Sequence, residues 1–374
     1  MKTLKLSTFA ICFVLIIAVF VSCGEKVPSL KESVGVNYSA AFSMELLDEA
    51  KNIKKVIDGD GRELILVPKD IEVPAEYADS NIVRTPVDNA VFLSSTQVCS
   101  LRPVDKAEIW DSIGGVNGGP DSWLDIPQVK TRLESGVIKN LGGDMGDPDY
   151  ELLQELDPDL VFVYTGSHPQ TGVIDKLNEL GINYAVDNEY METDYLARME
   201  WTRFILTFYN EDIAAENIMN NVDANMAAMK KAIKGLDKPK VIFASEWGGY
   251  VSASNPNSWL GKMIMDAGAD YLFASTPAEG LSMSLEDFIL KADEADIIVY
   301  TSTPMYMPNK ATLFTNIPLL ADVAAAQNGN LWQYSDAYWM SVDESDRVAQ
   351  EMAAIFYPDK FPNQEFKYFV KMVD

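Results

Sequence analysis

The chain has 374 residues, 48% of them hydrophobic and 10% aromatic, and a formal charge of −26. That length can bury two sizeable cores, and no segment of the body is biased enough in composition to predict disorder. So negative a chain steers polyanions away, which argues against a nucleic-acid partner and favours neutral or cationic ligands or a positively charged docking partner; maintaining solubility is the commoner use of surface acid.

The start reads MKTLK, then an apolar run from Phe9 to Val21, then Ser22-Cys23-Gly24. The run is short for a bilayer span and is flanked like a secretory signal, with a small residue before a cysteine as in a bacterial lipoprotein signal. Residues 1–22 are therefore expected to leave as the signal, with Cys23 becoming the lipid-bearing first residue; Phe20 departs from the usual leucine three places before the cysteine. An ordinary signal peptide or an uncleaved anchor is the plainer reading, and either one exports the body. Losing Cys12 and lipidating Cys23 leaves Cys99 without a disulfide partner, expected to pack as a small hydrophobe in a helix.

Residues 23–34 read as a tether, and residues 35–85 alternate apolar and polar positions around Asp58-Gly59-Asp60-Gly61, a hairpin signal that predicts a small β extension. From residue 86 a first α/β lobe is expected to run to about residue 190. Its first strand, Val91-Phe92-Leu93, ends in Ser94-Ser95-Thr96-Gln97, and a helix is expected through Val98 to Asp111. Gly114-Gly115 and Gly118-Gly119 permit tight turns without making a nucleotide fingerprint.

One pattern then occurs twice. Asp147-Pro148-Asp149-Tyr150-Glu151 leads through LLQELDPD into Leu160-Val161-Phe162-Val163-Tyr164-Thr165, and Ser284-Leu285-Glu286-Asp287 leads through FILKADEAD into Ile297-Ile298-Val299-Tyr300-Thr301. Asp147 as cap with Pro148 at the first helical position, and a Ser284/Asp287 capping box, predict two helices that begin with an exposed glutamate. The apolar runs that follow predict strands buried on both faces of parallel sheets. Two similar α/β lobes offering strand ends to a shared cleft are the natural inference.

Between the copies, residues 191–237 give the longest helical stretch, with Ala197, Trp201, Phe204, Ile205 and Phe208 on one face and Ala214, Ile218, Val222, Met226, Met229 and Ile233 on another. This predicts a linking helix that limits hinge motion; a peripheral helix would show the same core spacing. The second lobe is expected over residues 238–374.

In order, Gly142-x-x-x-Gly146-DPDYELLQELDPDLVFVY, YLARMEWTRFILTFYN, NSWLGKMIMDAGADYLF, MSLEDFILKADEADIIVY and the late Leu331-Trp332-Gln333 with Tyr338-Trp339 resemble the helical-backbone substrate-binding proteins of ABC importers for ferric siderophores, haem and cobalamin, over about residues 85 to 358. The resemblance implies a lipid-anchored, monomeric receptor on the periplasmic side of the cell envelope that passes a metal chelate to a permease and its ATPase, with no cofactor of its own. It also implies that Glu151 and Glu286 meet permease arginines, against the plainer role of complementing a helix dipole at about 0.3–1 kcal/mol each.

Strand ends from both lobes should line the cleft: Ser95, Thr96, Tyr164 and His168 from the first, and Trp247, Tyr250, Trp259, Thr301, Tyr338 and Trp339 from the second. Aromatics dominate the second set and offer flat contact area to a macrocycle or catechol. His168 is a candidate axial haem ligand, with Tyr164 and Tyr300 as others, although a lone loop histidine is more often solvated. A bare transition metal normally needs several such ligands, so a chelated metal is the better inference. Only seven arginines occur, and of these Arg102 alone lies near an expected cleft loop. That scarcity keeps cobalamin or a neutral hydroxamate as credible as an anionic siderophore.

The competing classes are a haem-binding lipoprotein receptor, an exported enzyme and a structural lipoprotein. No Gly-x-Ser-x-Gly turn, HExxH helix or phosphate loop occurs, and the acidic pair Asp157 and Asp159 sits at a turn before a strand, where capping explains it.

Overall fold

The computed structural model describes residues 29–142, 147–166 and 171–374; Cys23 and His168 lie outside the described residues. Three sheets organise the chain. The first is four-stranded in the order β1 (Ser43–Asp48), β2 (Ile53–Ile57), β3 (Glu63–Pro68), β4 (Ile82–Thr85), antiparallel except for the parallel β3/β4 pair.

The second sheet is wholly parallel. It combines β5 (Ala90–Phe92), β6 (Ile113–Val116), β7 (Lys139–Asn140), β8 (Leu160–Val163) and β9 (Tyr184–Val186) in the order β7-β6-β5-β8-β9. Its apolar runs follow from burial on both faces. Phe92 and Phe162 point into one core, where their rings stack 4.7 Å apart, whereas Val91, Val161 and Val163 point into the other.

The third sheet has the expected parallel arrangement at its centre and adds antiparallel flanks. β10 (Lys240–Trp247), β14 (Ile297–Tyr300) and β15 (Leu331–Tyr334) run parallel. β11 (Tyr250–Ala253), β13 (Ser282–Ser284) and β16 (Phe369–Lys371) add antiparallel edges, and the short β12 (Asp270–Tyr271) pairs with the start of β10.

The expected single linking helix is two helices, Tyr195–Thr207 and Asp212–Ile233. The break lies at Phe208–Glu211, where Asn210 takes φ 57°, a left-handed conformation that asparagine tolerates better than most residues. Trp201, Phe204 and Ile205 of the first helix, with Phe208 at its end, pack into the first lobe, and Met219, Val222, Met226, Met229 and Ile233 of the second into the other, so the pair is common to both lobes.

The β extension is no appendage. Phe42, Val56, Leu64, Leu66 and Val83 share one core with the first lobe's Phe92 and Phe162 and with Trp201. The Asp58–Gly61 turn joins β2 to β3 as expected and seats on β9: Gly59 N–H donates to Val186 O at 2.9 Å and Val186 N–H to Asp58 Oδ2 at 3.0 Å. Wholly buried Glu200 accepts from the backbone N–H groups of Asn37, Tyr38 and Ser39 at 2.7, 2.7 and 2.9 Å, tying the residues before β1 to the first linking helix.

Two further expectations are corrected. The helix expected from Val98 to Asp111 is interrupted: Ser95–Cys99 and Ala107–Asp111 are separate helices, with Pro103 and left-handed Asp105 (φ 46°) between them. The helix expected to begin at Pro148 begins at Tyr150 and is capped by Asp149, whose carboxylate accepts from the N–H groups of Glu151 and Leu152 at 3.0 Å each, so Asp147 is not the cap.

Candidate functional site

The parallel strands of each lobe end at loops, and the second lobe's loops enclose a cavity. β10 and β11 are joined by Gly248-Gly249, both at positive φ (62° and 87°), in a two-residue hairpin that carries Trp247 to an exposed tip, 88% accessible. Together with the residues after β14 this tip bounds a cavity of about 710 Å³ lined by Glu246, Trp247, Tyr300, Thr301, Tyr306 and Asn316, among others.

Glu246 is held within it. One carboxylate oxygen accepts from Gly249 N–H at 2.8 Å and the other from Asn316 Nδ2 at 3.2 Å, while Glu246 N–H donates to Tyr300 Oη at 3.2 Å. Burial raises the Tyr300 hydroxyl's pKa, which keeps it neutral near neutral pH.

On the first lobe, Ser95 and Thr96 open the helix after β5 and are half-buried. Their neighbours fix them: Ser94 N–H donates to Gln97 Oε1 at 3.1 Å, and Gln97 Nε2 donates to Val163 O at 3.2 Å, pinning this helix to the end of β8. The same helix approaches the second lobe's turns Asp336–Met340 and Val342–Glu344. Strand-end residues of the two lobes therefore meet.

The expected cleft residues divide as follows. Trp247 and Thr301 line the cavity, and Trp339 stands 56% accessible on the Asp336–Met340 turn. Tyr164 is half-buried at the end of β8, edge-on to Tyr190 at 6.0 Å. Tyr250 shares the hairpin tip but lines a different cavity, with Ser284 and Asp287. Trp259 is partly buried, its ring 4.4 Å from the guanidinium of Arg198, which in turn pairs with Glu189. Tyr338 is a correction: it is 3% accessible and stacked on Tyr334 with ring centres 3.5 Å apart, a core residue and not a cleft face.

Arg102 is not free for a ligand either. It pairs with Asp343 at 2.5 Å and donates to Met340 O, linking the first lobe to the turn beyond β15. Cys99 is wholly buried, as expected of a small hydrophobe, and burial pushes its thiol pKa well up.

Residues the sequence reading missed are Glu246, Tyr306 and Asn316. A signal existed: a glutamate immediately before Trp247 at a strand end, and Met305-Tyr306 just beyond β14, 71% and 73% accessible. Exposed apolar side chains at Leu124, Met191, Met305, Tyr306 and Trp339 lie in segments that follow strands of the two central sheets, and Trp247 ends β10. Among the described residues, no group of three or more His, Cys, Asp or Glu side chains could hold a metal ion, and no helix is long and apolar enough to cross a membrane.

Glu151 and Glu286 are exposed in the first turns of Tyr150–Leu156 and Leu285–Ala292, one on each lobe. Ser284 caps the second of these helices, its hydroxyl oxygen accepting from Asp287 N–H at 3.1 Å.

Known proteins share this arrangement. An uncharacterized lipoprotein of Methanocaldococcus jannaschii is 29% identical over 331 residues, 85% of this chain and 78% of its own. The petrobactin-binding protein of Bacillus subtilis is 24% identical over 259 residues, 64% of this chain and 73% of its own. Among solved structures, the TroA-like periplasmic binding protein FepB from Veillonella parvula superposes with a TM-score of 0.59 at 16% identity, covering 85% of this chain and 99% of that one. A periplasmic heme-binding protein from Pseudomonas aeruginosa gives 0.56 at 16% identity, covering 73% and 93%. Residues 105–338 match the family model described as periplasmic binding protein, and the chain belongs to that family, with two α/β lobes held by a helical backbone as in the substrate-binding proteins of ABC importers.

Proposed function

We propose that the chain is the lipid-anchored substrate-binding component of an ABC importer, which takes a metal chelate, a ferric siderophore or cobalamin, between its lobes and hands it to a permease. The observation that carries this reading is the meeting of strand-end elements: the Ser95–Cys99 helix of the first lobe faces the Asp336–Met340 turn of the second, and the strand-end loops of the second lobe bound a cavity of about 710 Å³ walled by Trp247, Tyr300 and Tyr306. Aromatic walls with a few fixed polar groups suit capture of a bulky flat ligand without chemistry on it.

The names of relatives lend support, since one binds petrobactin, structural neighbours bind haem or a catecholate siderophore, and two relatives are lipoproteins. In this reading Cys23 carries the lipid, the protein works as a monomer on the outer face of the membrane that holds the permease, and Glu151 and Glu286 are the docking points. Ser95, Thr96, Tyr164, Trp247, Thr301 and Trp339 face the cargo, with Glu246 and Tyr306 added.

The test is a thermal-shift titration of the protein with cyanocobalamin, haemin and a panel of ferric siderophores. A ligand at a hundredfold its Kd stabilises the folded state by about 2.7 kcal/mol, so one class should give a saturable rise in midpoint. No shift with any chelate, from a well-folded protein, would overturn the reading.

A further inference from the structure

Each of the seven arginines is already committed within the fold. Arg62 donates to Tyr184 O, Arg84 to the carbonyls of Pro68, Lys69 and Ile71, and Arg203 to Ser33 O while pairing with Glu216. Arg102 pairs with Asp343, Arg132 with Asp111, Arg198 with Glu189 and Arg347 with Glu351.

Lysine does not fill the gap. The segments that follow the strands of the first lobe, 117–126, 141–149, 164–170 and 187–194, contain no lysine or arginine, and neither do 248–258, 301–309 and 335–344 of the second. The charged side chain lining the cavity is instead Glu246, whose two oxygens are met by Gly249 N–H and Asn316 Nδ2, both neutral donors. A carboxylate with no cationic partner among the described residues, in a cavity also lined by Trp247 and Tyr306, offers a positive group both an ion pair and aromatic faces. A multiply anionic chelate entering there would lose hydration without gaining a counter-cation, inside a chain of formal charge −26.

We infer that the cargo presents a positively charged group, such as an ammonium arm, to Glu246 in the cavity lined by Trp247 and Tyr306, and that chelates of net negative charge are excluded. This rests on the reading of the chain as a binding component and specifies the charge of what it binds.

The experiment is calorimetric titration of the detergent-solubilised full-length protein with three ferric chelates. These are a trihydroxamate bearing a free ammonium arm, the same trihydroxamate with that arm acetylated and so neutral, and a triply anionic tris-catecholate. The expected result is binding of the ammonium form at least about tenfold tighter than the acetylated form, with no measurable binding of the tris-catecholate. Glu246→Gln, which keeps an oxygen for Gly249 N–H, should bring the ammonium form down to the acetylated level. Tris-catecholate binding as tight as the ammonium form, or affinity indifferent to acetylation and to Glu246→Gln, would overturn the inference while leaving the receptor role intact. Failure of all three chelates would overturn the inference, whereas the receptor role falls only if cyanocobalamin and haemin also fail to bind. Acetylation acts on the ligand, so that comparison holds even where Glu246→Gln folds poorly.

Discussion

Lys54 Nζ lies 2.7 Å from Asp212 Oδ2, and both side chains are almost wholly out of water. The pair joins β2 of the extension to the first residue of the second linking helix. Lys54 also donates to Thr207 O at 3.1 Å and to Asn210 Oδ1 at 3.2 Å, so one ammonium satisfies acceptors on both sides of the helix break. Replacing it strands a buried carboxylate. Lys54→Met is expected to cost about 3–5 kcal/mol of stability, read from the denaturant midpoint, and adding Asp212→Asn should recover part of that loss. A cost below about 1 kcal/mol would show that the extension contributes little to the body.

That pair also explains how far the sequence could be read. Local signals were legible: the buried runs at Val161 and Ile298, the Asp58–Gly61 turn, the Ser284 cap and the buried face that carries Trp201. The break at Asn210 was not, because no proline or glycine marks it and its left-handed turn is held by Lys54, more than 150 positions away. For the same reason alternation predicted the extension's strands while leaving unread that they share the first lobe's core. At the site, the Trp247 tip and Thr301 followed from their places at strand ends. Tyr338 did not, since spacing cannot tell a stacked core tyrosine from an exposed one, and no motif sets Glu246 apart from other charges at strand ends.

Gly59 is required by crowding. A Cβ there would sit 3.0 Å from Trp201 Cη2, 3.0 Å from Val186 O and 3.1 Å from Asn188 Cβ. Gly59→Ala should therefore lift the hairpin off β9 and lower stability by about 1–3 kcal/mol. Gly61→Ala is strained instead by its φ of 77°, with nothing within 4 Å of the new methyl. Thermal melts of the two variants separate the causes, because only the first should be relieved by shrinking Trp201 to Phe.

Asp343 gives a pH dependence with a definite sign. Burial raises its pKa from an ordinary value of 3.8 to about 6, against the downward pull of Arg102. Between those values the folded state keeps a proton that the unfolded chain has lost, so this group's contribution to stability falls as pH rises through the window and is level above it. A shift of that size corresponds to about 3 kcal/mol. The Asp343→Asn variant should lack this component. Denaturant midpoints of the two proteins across pH 4 to 7 ought to diverge along the window, and parallel curves would count against a raised Asp343.

Glu151 and Glu286 provide the remaining prediction, which separates docking from binding. Both are exposed second residues of their helices, and neither lines the cavity at Trp247. As helix-end carboxylates alone, each would contribute only about 0.3–1 kcal/mol of stability and nothing to transport. As docking points they would meet cationic groups on a permease, where loss of a charge slows association and weakens the complex in a salt-dependent way. Glu151→Gln and Glu286→Gln should then leave cargo affinity within about twofold of the parent protein, and the pair together should reduce binding-protein-stimulated ATP hydrolysis by the reconstituted importer by about tenfold or more. Single variants are expected to fall between, since each lobe would keep or lose its own contact. ATP hydrolysis unchanged in the double variant, with cargo affinity intact, would return both glutamates to the role of helix-end charges.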